Sequence, residues 1–393
     1  MIKKFLDLGL QPLANSYLKK NNLNKKEKKF RLEVMFDDKN YLVSIKKRIS
    51  AVKMFNSNYP YRSSQSKTMI NSFKKIAREI KNRFNPKFTI EIGSNDGAFL
   101  FNFNKKKIIG IEPCKNIAIL TKKKKYKTID EYWTQKLAKK ITIKKKADLI
   151  YSANTLSHIE NLNETFKAIC LALNENGVLV LEGPSLLPCL KNNSYDQFYC
   201  EHVYVFSTLA LINILKEYNL EIFDIKNLKT HGGSSRYFIK KILNNNIKKK
   251  KIVNIEIKKE KRYGLNKIST YQKFSIRVRN SKKDLISLLK KLNLNKKKVI
   301  GYGATAKSCT VLNYCKITPK EISYFMDTTA DKVNKYLPGS KIFVKKYEKL
   351  KKENVDVAFL GAWNFKDEIF KKEKLFKKKG GKFLTHVPKV RLI

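Results

Sequence analysis

The stretch Phe88–Leu100, FTIEIGSNDGAFL, decides the fold. A short apolar, β-branched run reaches an acid and then Gly93-Ser94-Asn95-Asp96-Gly97, after which the apolar spacing becomes helical. This pattern predicts a buried strand entering a tight turn, where two glycines remove Cβ and let backbone approach a ligand. Farther on, Lys107-Ile108-Ile109-Gly110-Ile111 reads as a second strand ending in Glu112. A carboxylate there can accept both hydroxyls of a ribose, as in dinucleotide sites. The turn is E-x-G-x-x-x-G rather than G-x-G-x-x-G, which favours S-adenosylmethionine (SAM), a ligand with no pyrophosphate to cradle. Glu91, Gly93, Ser94, Asn95, Gly97 and Glu112 are therefore the cofactor-binding candidates, and the plainer alternative is a generic α/β turn.

Working outward, FTIEI, IIGIE, ADLIYSA, GVLVLEG and EIFDIKN alternate with helical stretches to about residue 225. That alternation predicts a parallel, doubly wound sheet, preceded by a helix over Met69–Phe84. The expected fold is α/β: a Rossmann-like SAM domain over 71–240, with a small domain over 1–70 before it. In that first domain RLEVMF and YLVSI are strand candidates around a DDKN turn. A helical connector over 241–295 leads to a second Rossmann-like domain over 296–393, opened by Lys298–Ala306. Its GYGATA, with Asp327 ending the next strand, imitates an NAD fingerprint. A second Rossmann-like unit that helps hold substrate is the preferred reading.

Composition narrows the function. The chain has 393 residues, 85 Lys+Arg against 33 Asp+Glu, and a formal net charge of +52. Such charge suits an anionic partner: nucleic acid, a membrane surface or a phosphorylated small molecule. The lysines are spread almost everywhere beside Asn and Ile, which fits compositional bias better than a focused basic patch. No run of 18 or more apolar residues predicts a membrane span, and the start lacks a clear leader pattern. Six scattered cysteines form no C-x-x-C motif, so a reducing cytoplasm is the default expectation.

The chemistry-bearing residues cluster after strands, where ligands of open α/β sheets bind. ADLIYSANTLSHIENL places Asn154 and His158 at the mouth of the cofactor crevice. YDQFYCEHVYVFS, Tyr195–Ser207, is the densest polar-aromatic cluster, with Tyr199, Glu201 and His202 close together. In isolation such a cluster is more often a packed surface patch than a catalytic set, but a neutral imidazole is a natural proton acceptor. Thr230-His231-Gly232-Gly233-Ser234-Ser235-Arg236 reads either as an anion-accepting loop or as an ordinary turn.

These motifs, in order, resemble the three-domain SAM-dependent sugar C-methyltransferases that act on nucleotide-linked keto-deoxysugars. LDLGLQPLANSYL and YPYRSS are similar to that family's amino-terminal domain, and EIGSNDGAFL, GIEP and ANTLSHI to its SAM domain. YCEHVYVFS and HGGSSRYF are similar to its active-site segments. GYGATAKSCTVLNY, FMDTTADKVNKYLPGSKI, AWNFKDEI and GGKF are similar to its carboxy-terminal domain. The resemblance implies that His202 is the general base and that Glu201 orients the imidazolium. It also implies that Tyr199 bonds a developing enolate oxygen. Tyr59 or Tyr61 would reach the same pocket, and His231, Arg236 and Lys307 would border the nucleotide sugar. The four zinc-binding cysteines of that family are not matched; the second pair falls near Phe36 and Lys39, which cannot ligate zinc. No metal is therefore expected, and the first domain must be held by apolar packing or be partly mobile.

The resulting expectation is carbon methylation of a nucleotide-linked keto-deoxysugar, with no membrane partner and no assigned oligomeric state. Three rivals stand beside it: O-methylation of a small molecule, RNA methylation using the basic surface, and a non-catalytic binding protein. Ser152–Leu156 lacks the Asn/Asp-Pro-Pro-aromatic clamp for base amines, which disfavours nucleic acid. Retention of Glu112, Tyr199, Glu201 and His202 disfavours the third.

Overall fold

The computed structural model describes all 393 residues. Strands β1 (Ile2–Pro12), β2 (Lys29–Asp37) and β3 (Val43–Ile45) form an antiparallel sheet. Alternation along β2 sends Leu32, Val34 and Phe36 to the buried face. The sheet's fourth strand is Tyr204–Val205, so the small domain is hydrogen-bonded directly to the end of the polar-aromatic segment. On the buried face Phe5 and Phe36 lie 5.0 and 4.5 Å from the Tyr271 ring, and Phe5 lies 6.3 Å from Phe198. Aromatic packing thus holds this domain, aided by Arg31, which donates to Asp7 at 2.6 and 3.0 Å.

The helix Lys67–Phe84 follows, capped by the Ser66 hydroxyl, which accepts from the Met69 N–H. Met69, Phe73, Ile76, Ala77 and Ile80 bury one stripe of it, and left-handed Asn85 ends it before Pro86. The central strands are β4 (Thr89–Ile92), β5 (Ile108–Ile111), β6 (Thr128–Ile129), β7 (Ala147–Ala153) and β8 (Leu173–Pro184). After β9 (Tyr204–Val205) come β10 (Leu220–Leu228) and β11 (Ser234–Lys241). The sheet order is β10-β11-β8-β7-β4-β5-β6. It is not wholly parallel as expected: β11 runs antiparallel to both β8 and β10. The expected anion loop therefore passes into a strand at Ser234. Helices Lys251–Tyr263 and Ile268–Leu294 connect onward.

The carboxy-terminal sheet comprises β12 (Val299–Tyr302), β13 (Tyr324–Asp327), β14 (Lys335–Tyr336), β15 (Phe343–Lys346), β16 (Val357–Leu360), β17 (Lys382–Thr385) and β18 (Arg391–Leu392). Its order is β14-β15-β13-β12-β16-β17-β18, with a parallel centre and antiparallel edges. The GYGATA turn after β12 is occupied by the protein itself. The Tyr17 hydroxyl and the Lys332 ammonium donate to the Ala304 carbonyl at 2.6 and 2.9 Å. Thr305 and Ser308 cap the following helix reciprocally, satisfying donors that a phosphate would need. No helix is long and apolar enough to cross a membrane.

Candidate active site

The turn after β4 has the geometry its glycines demand. Gly93 and Gly97 sit at φ +74° and +87°, a region costly for any residue with a Cβ. A Cβ on Gly93 would also lie 2.0 Å from the Thr155 hydroxyl. Glu112, at the end of β5, accepts the Asn95 and Cys114 N–H groups at 2.9 Å each. Each carboxylate oxygen keeps a further lone pair for a hydroxyl donor. Burial pushes Glu112 above the ordinary carboxyl range, while those N–H groups pull it back. Glu91 lies buried beneath the turn; burial and the charges of Glu112 and Asp96 raise it well above its usual value.

Asn95 closes the turn rather than pointing freely. Its side-chain oxygen accepts the Ser63 N–H at 2.9 Å, while Ser64 bonds Asp96, so the YRSS segment seals one edge. Tyr61 is 40% exposed there, contributing its carbonyl to Asn95. Buried polar atoms with no protein partner remain around the crevice: Ser94 Oγ, Asn154 Oδ1, Asn116 Oδ1 and Glu91 Oε2. A SAM molecule, whose ribose and amino-acid ends carry donors and acceptors, suits that set together with Gly93 and Glu112.

The second half of the site is built on Tyr195–His202, which follows the helix Leu186–Lys191. His202 is buried, with Nδ1 2.7 Å from the Gln197 carbonyl and Nε2 2.8 Å from the Tyr199 hydroxyl. A carbonyl can only accept, so Nδ1 carries the proton, Nε2 holds the lone pair, and Tyr199 donates to it. Burial drives His202 well below its usual range, reinforced by His158 and by the Lys307 charge. The imidazole is therefore neutral throughout the neutral range.

Glu201 corrects an expectation. It does not orient His202; Asn15 Nδ2 donates to it at 2.6 Å and the Tyr59 hydroxyl at 3.2 Å. Gln197, which sequence reasoning missed, holds the ring instead through its carbonyl, and its own amide donates to the His231 carbonyl at 2.6 Å. Burial raises Glu201 to about 7 despite its two donors. Cys200, without an expected role, accepts the Ala14 N–H at 3.4 Å and pins the small domain.

His158 is brought beside His202. Its ring stacks on Phe55 at 5.3 Å and lies 5.1 Å from that of His202, and burial lowers it to about 4. His231, lowered to about 3 by burial and by Lys307, has left-handed backbone and an unpartnered Nε2. Arg236 is not beside a substrate space. Its β11 position faces Glu182 of β8, to which it donates twice at 2.8 Å with both side chains buried. Lys307 is buried with its ammonium 5.3 Å from the Trp363 ring. Trp363 in turn donates to Asp196 at 2.5 Å, and His386 Nε2 lies 3.4 Å from the same carboxylate oxygen. Sequence reading did not join Asp196, Trp363 and His386, because they are distant along the chain and form no spaced motif.

A cleft of about 540 Å³ opens between Leu13–Asn22, Lys53–Pro60 and the carboxy-terminal residues Asp331 and Lys335. Tyr59 and Glu201 form part of its lining, and Lys19, Lys53 and Lys335 bring positive charge to it. The glycine turn does not line this cleft.

Residues 1–55 match a putative zinc-binding domain, 62–225 a methyltransferase domain, and 229–388 the C-methyltransferase C-terminal domain. Residues 1–55 nevertheless contain no cysteine or histidine, and nowhere do three His, Cys, Asp or Glu side chains gather as a metal site. The residues present do not fit zinc there. The C-methyltransferase NovU of Streptomyces niveus is 27% identical over 99% of this chain and 93% of its own. A SAM-dependent methyltransferase from Clostridium acetobutylicum is 17% identical, covering 44% of this chain and 91% of its own with a TM-score of 0.35. The N-methyltransferase NodS of Bradyrhizobium japonicum gives 16%, 44%, 94% and 0.35. With three family models in the expected order and a full-length C-methyltransferase relative, the chain belongs to the three-domain, SAM-dependent C-methyltransferases.

Proposed function

We propose that this enzyme methylates a carbon adjacent to the ketone of a nucleotide-linked keto-deoxysugar, with His202 as the base. The observation that carries the reading is the buried Tyr199–His202–Gln197 chain, which fixes a neutral imidazole with its lone pair on Nε2. A C–H group beside a carbonyl is acidic enough for such a base, whereas transfer to an amine does not call for one so insulated. Bound SAM supplies an electrophilic methyl group on sulfonium. In this reading Glu91, Gly93, Ser94, Asn95, Gly97, Glu112 and Asn154 hold that cofactor. Asn95 acts by shaping the turn, since its side chain is already engaged by Ser63.

The protein's own share of the chemistry then follows from position. His202 Nε2 takes the carbon-bound proton, with Tyr199 yielding its hydrogen bond as the proton arrives. The Gln197 carbonyl remains on Nδ1–H and stabilises the imidazolium that forms. Tyr59 and Glu201 line the cleft through which the sugar nucleotide enters, and Lys19, Lys53 and Lys335 offer charge to its diphosphate. His158 stands against the base as part of the reaction chamber wall. The name of the relative NovU, a C-methyltransferase, favours carbon over oxygen as acceptor.

The test is transfer of a labelled SAM methyl group to a panel of nucleotide-linked 4-keto-6-deoxyhexoses, with the product bond read by NMR. A new carbon–methyl bond supports the reading and names the sugar. A methyl on oxygen overturns the role given to His202, and no transfer to any member removes the substrate class.

A further inference from the structure

Before reaction Tyr199 is committed to His202. Its hydroxyl proton points at His202 Nε2, so while the base is in its resting state that proton is not available to an oxygen of the substrate. Removing a proton beside a ketone leaves negative charge on the carbonyl oxygen, and a buried chamber must meet that charge with a fixed donor or cation. One such group stands unused. The Lys307 ammonium is buried, the residue being only 8% exposed, and no protein atom accepts from it.

Its position is built rather than accidental. Lys307 lies in the first turn of the helix Ala306–Cys315, whose start is fixed by the Thr305–Ser308 capping box. Its ammonium sits above the indole of Trp363, whose N–H is fixed by Asp196. The same indole packs on Gly232, where a Cβ would come within 2.2 Å of the ring. Next to Gly232, His231 holds Gln197 through its carbonyl and leaves Nε2 buried and unpartnered. Gln197 holds His202. The lysine is thereby linked through Trp363, Gly232, His231 and Gln197 to the base itself.

We propose that Lys307 is the electrophilic catalytic residue of this reaction, its ammonium donating to the carbonyl oxygen of the keto substrate as that oxygen becomes an enolate. This rests on the keto-sugar reading above. The carbon–hydrogen bond breaks, its proton goes to His202 Nε2, and its electron pair moves onto the carbonyl oxygen facing Lys307. The pair returns to carbon as the new carbon–methyl bond forms, and the methyl group's bond to the sulfonium sulfur of SAM breaks with its electron pair left on sulfur, giving the neutral thioether. The His202 proton then passes to solvent, and the ammonium keeps all its protons throughout.

The electrostatics agree with that geometry. The Lys307 charge bears on both His202 and His231, helping to keep each neutral. Burial lowers Lys307 itself, and Asp196 opposes that, holding charge on the ammonium. A lone buried cation is costly to the folded state, a cost that a substrate oxyanion offsets.

The experiment separates deprotonation from methyl transfer. The panel sugar that the wild-type enzyme methylates is incubated in D2O without SAM, and deuterium incorporation beside the ketone is followed by NMR. Lys307→Met is expected to slow that exchange and kcat by roughly 100- to 1,000-fold, with substrate affinity within about threefold. Its affinity for SAM, measured calorimetrically, reports that the fold is intact; Lys307→Gln is expected to show the same loss if Met disturbs packing. Unchanged exchange overturns the proposal, as does a loss confined to KM, which would assign Lys307 to a ground-state phosphate. A wild-type enzyme that makes an oxygen–methyl product without exchange removes the enolate, and with it both the keto-sugar reading and the role of Lys307.

Discussion

Two neighbouring residues of the Tyr195–His202 segment illustrate how burial sorts function. His202, pushed well below its usual value by burial, stays neutral far into the acid range. Glu201, raised to about 7 by burial, titrates near neutrality. An acid limb of activity near pH 7 is therefore expected to belong to Glu201, whose ionised form best holds Tyr59 and Asn15. Rate profiles of Glu201→Gln should lose that limb, while His202→Ala should lose at least roughly 100-fold in turnover with SAM affinity nearly unchanged. Stability carries the opposite sign. A carboxyl shifted up from 4.5 to about 7 favours the folded state at acid pH, and about 3 kcal/mol of that is lost as pH rises between those values. Denaturant titrations should show Glu201→Gln gaining on the wild type over that window; a constant difference would place the titration elsewhere. Tyr199, Glu201 and His202 were legible as a cluster because they are adjacent in sequence. Their partners were not, since Asn15 and Gln197 act through a fold-dependent contact and a backbone carbonyl.

At the scale of elements, the glycine turn was readable because strand, acid and glycine needs are all local. The antiparallel β11 was not, because HGGSSRYF has the composition of a loop and only the neighbouring β8 and β10 make Ser234–Lys241 a strand. That pairing also explains Arg236. A basic residue beside two glycines suggested phosphate, yet register sets it opposite Glu182, where burial demands an ion pair. The small domain was readable as strands but not as an assembly. Its matching family model is described as zinc-binding, and this chain places aromatic rings between the first sheet and the long helix Ile268–Leu294. Tyr271 is central: its ring touches Phe5 and Phe36, and its hydroxyl donates to the Leu265 carbonyl at 2.7 Å. Tyr271→Ala should destabilise the protein by about 3–5 kcal/mol and Tyr271→Phe by only about 1 kcal/mol. A zinc chelator should leave the melting temperature of the wild type unchanged, and a chelator-induced fall would reveal a metal held elsewhere.

Across the whole molecule, the segment Tyr195–Val205 is where the three sheets of the fold are tied together. Tyr204–Val205 completes the first sheet, Phe198 packs against Phe5, and Asp196 reaches Trp363 and His386 of the last domain. The strands of the central and last sheets were foreseeable from local periodicity, but the convergence of the sheets on one segment was not, because no local pattern encodes contacts between residues so far apart along the chain. The convergence has a functional cost if broken. Asp196 is one residue from Gln197, whose carbonyl fixes the tautomer of His202, so the carboxy-terminal domain reaches His202 through the Trp363–Asp196 hydrogen bond as well as through the Trp363 ring on Gly232. Trp363→Phe keeps an aromatic ring on Gly232 and removes the N–H donor from a carboxylate that burial otherwise disfavours. A hydrogen bond to a charged group contributes about 1.5–3 kcal/mol, which corresponds to roughly tenfold or more in rate if the base loses its alignment. Turnover of Trp363→Phe should fall by that factor, while calorimetric SAM affinity stays at the wild-type value because the Gly93 turn lies on β4 of the central sheet. Equal losses in turnover and SAM affinity would mean that the domains fold as one inseparable unit, and unchanged turnover would mean that His202 is held by its own segment alone.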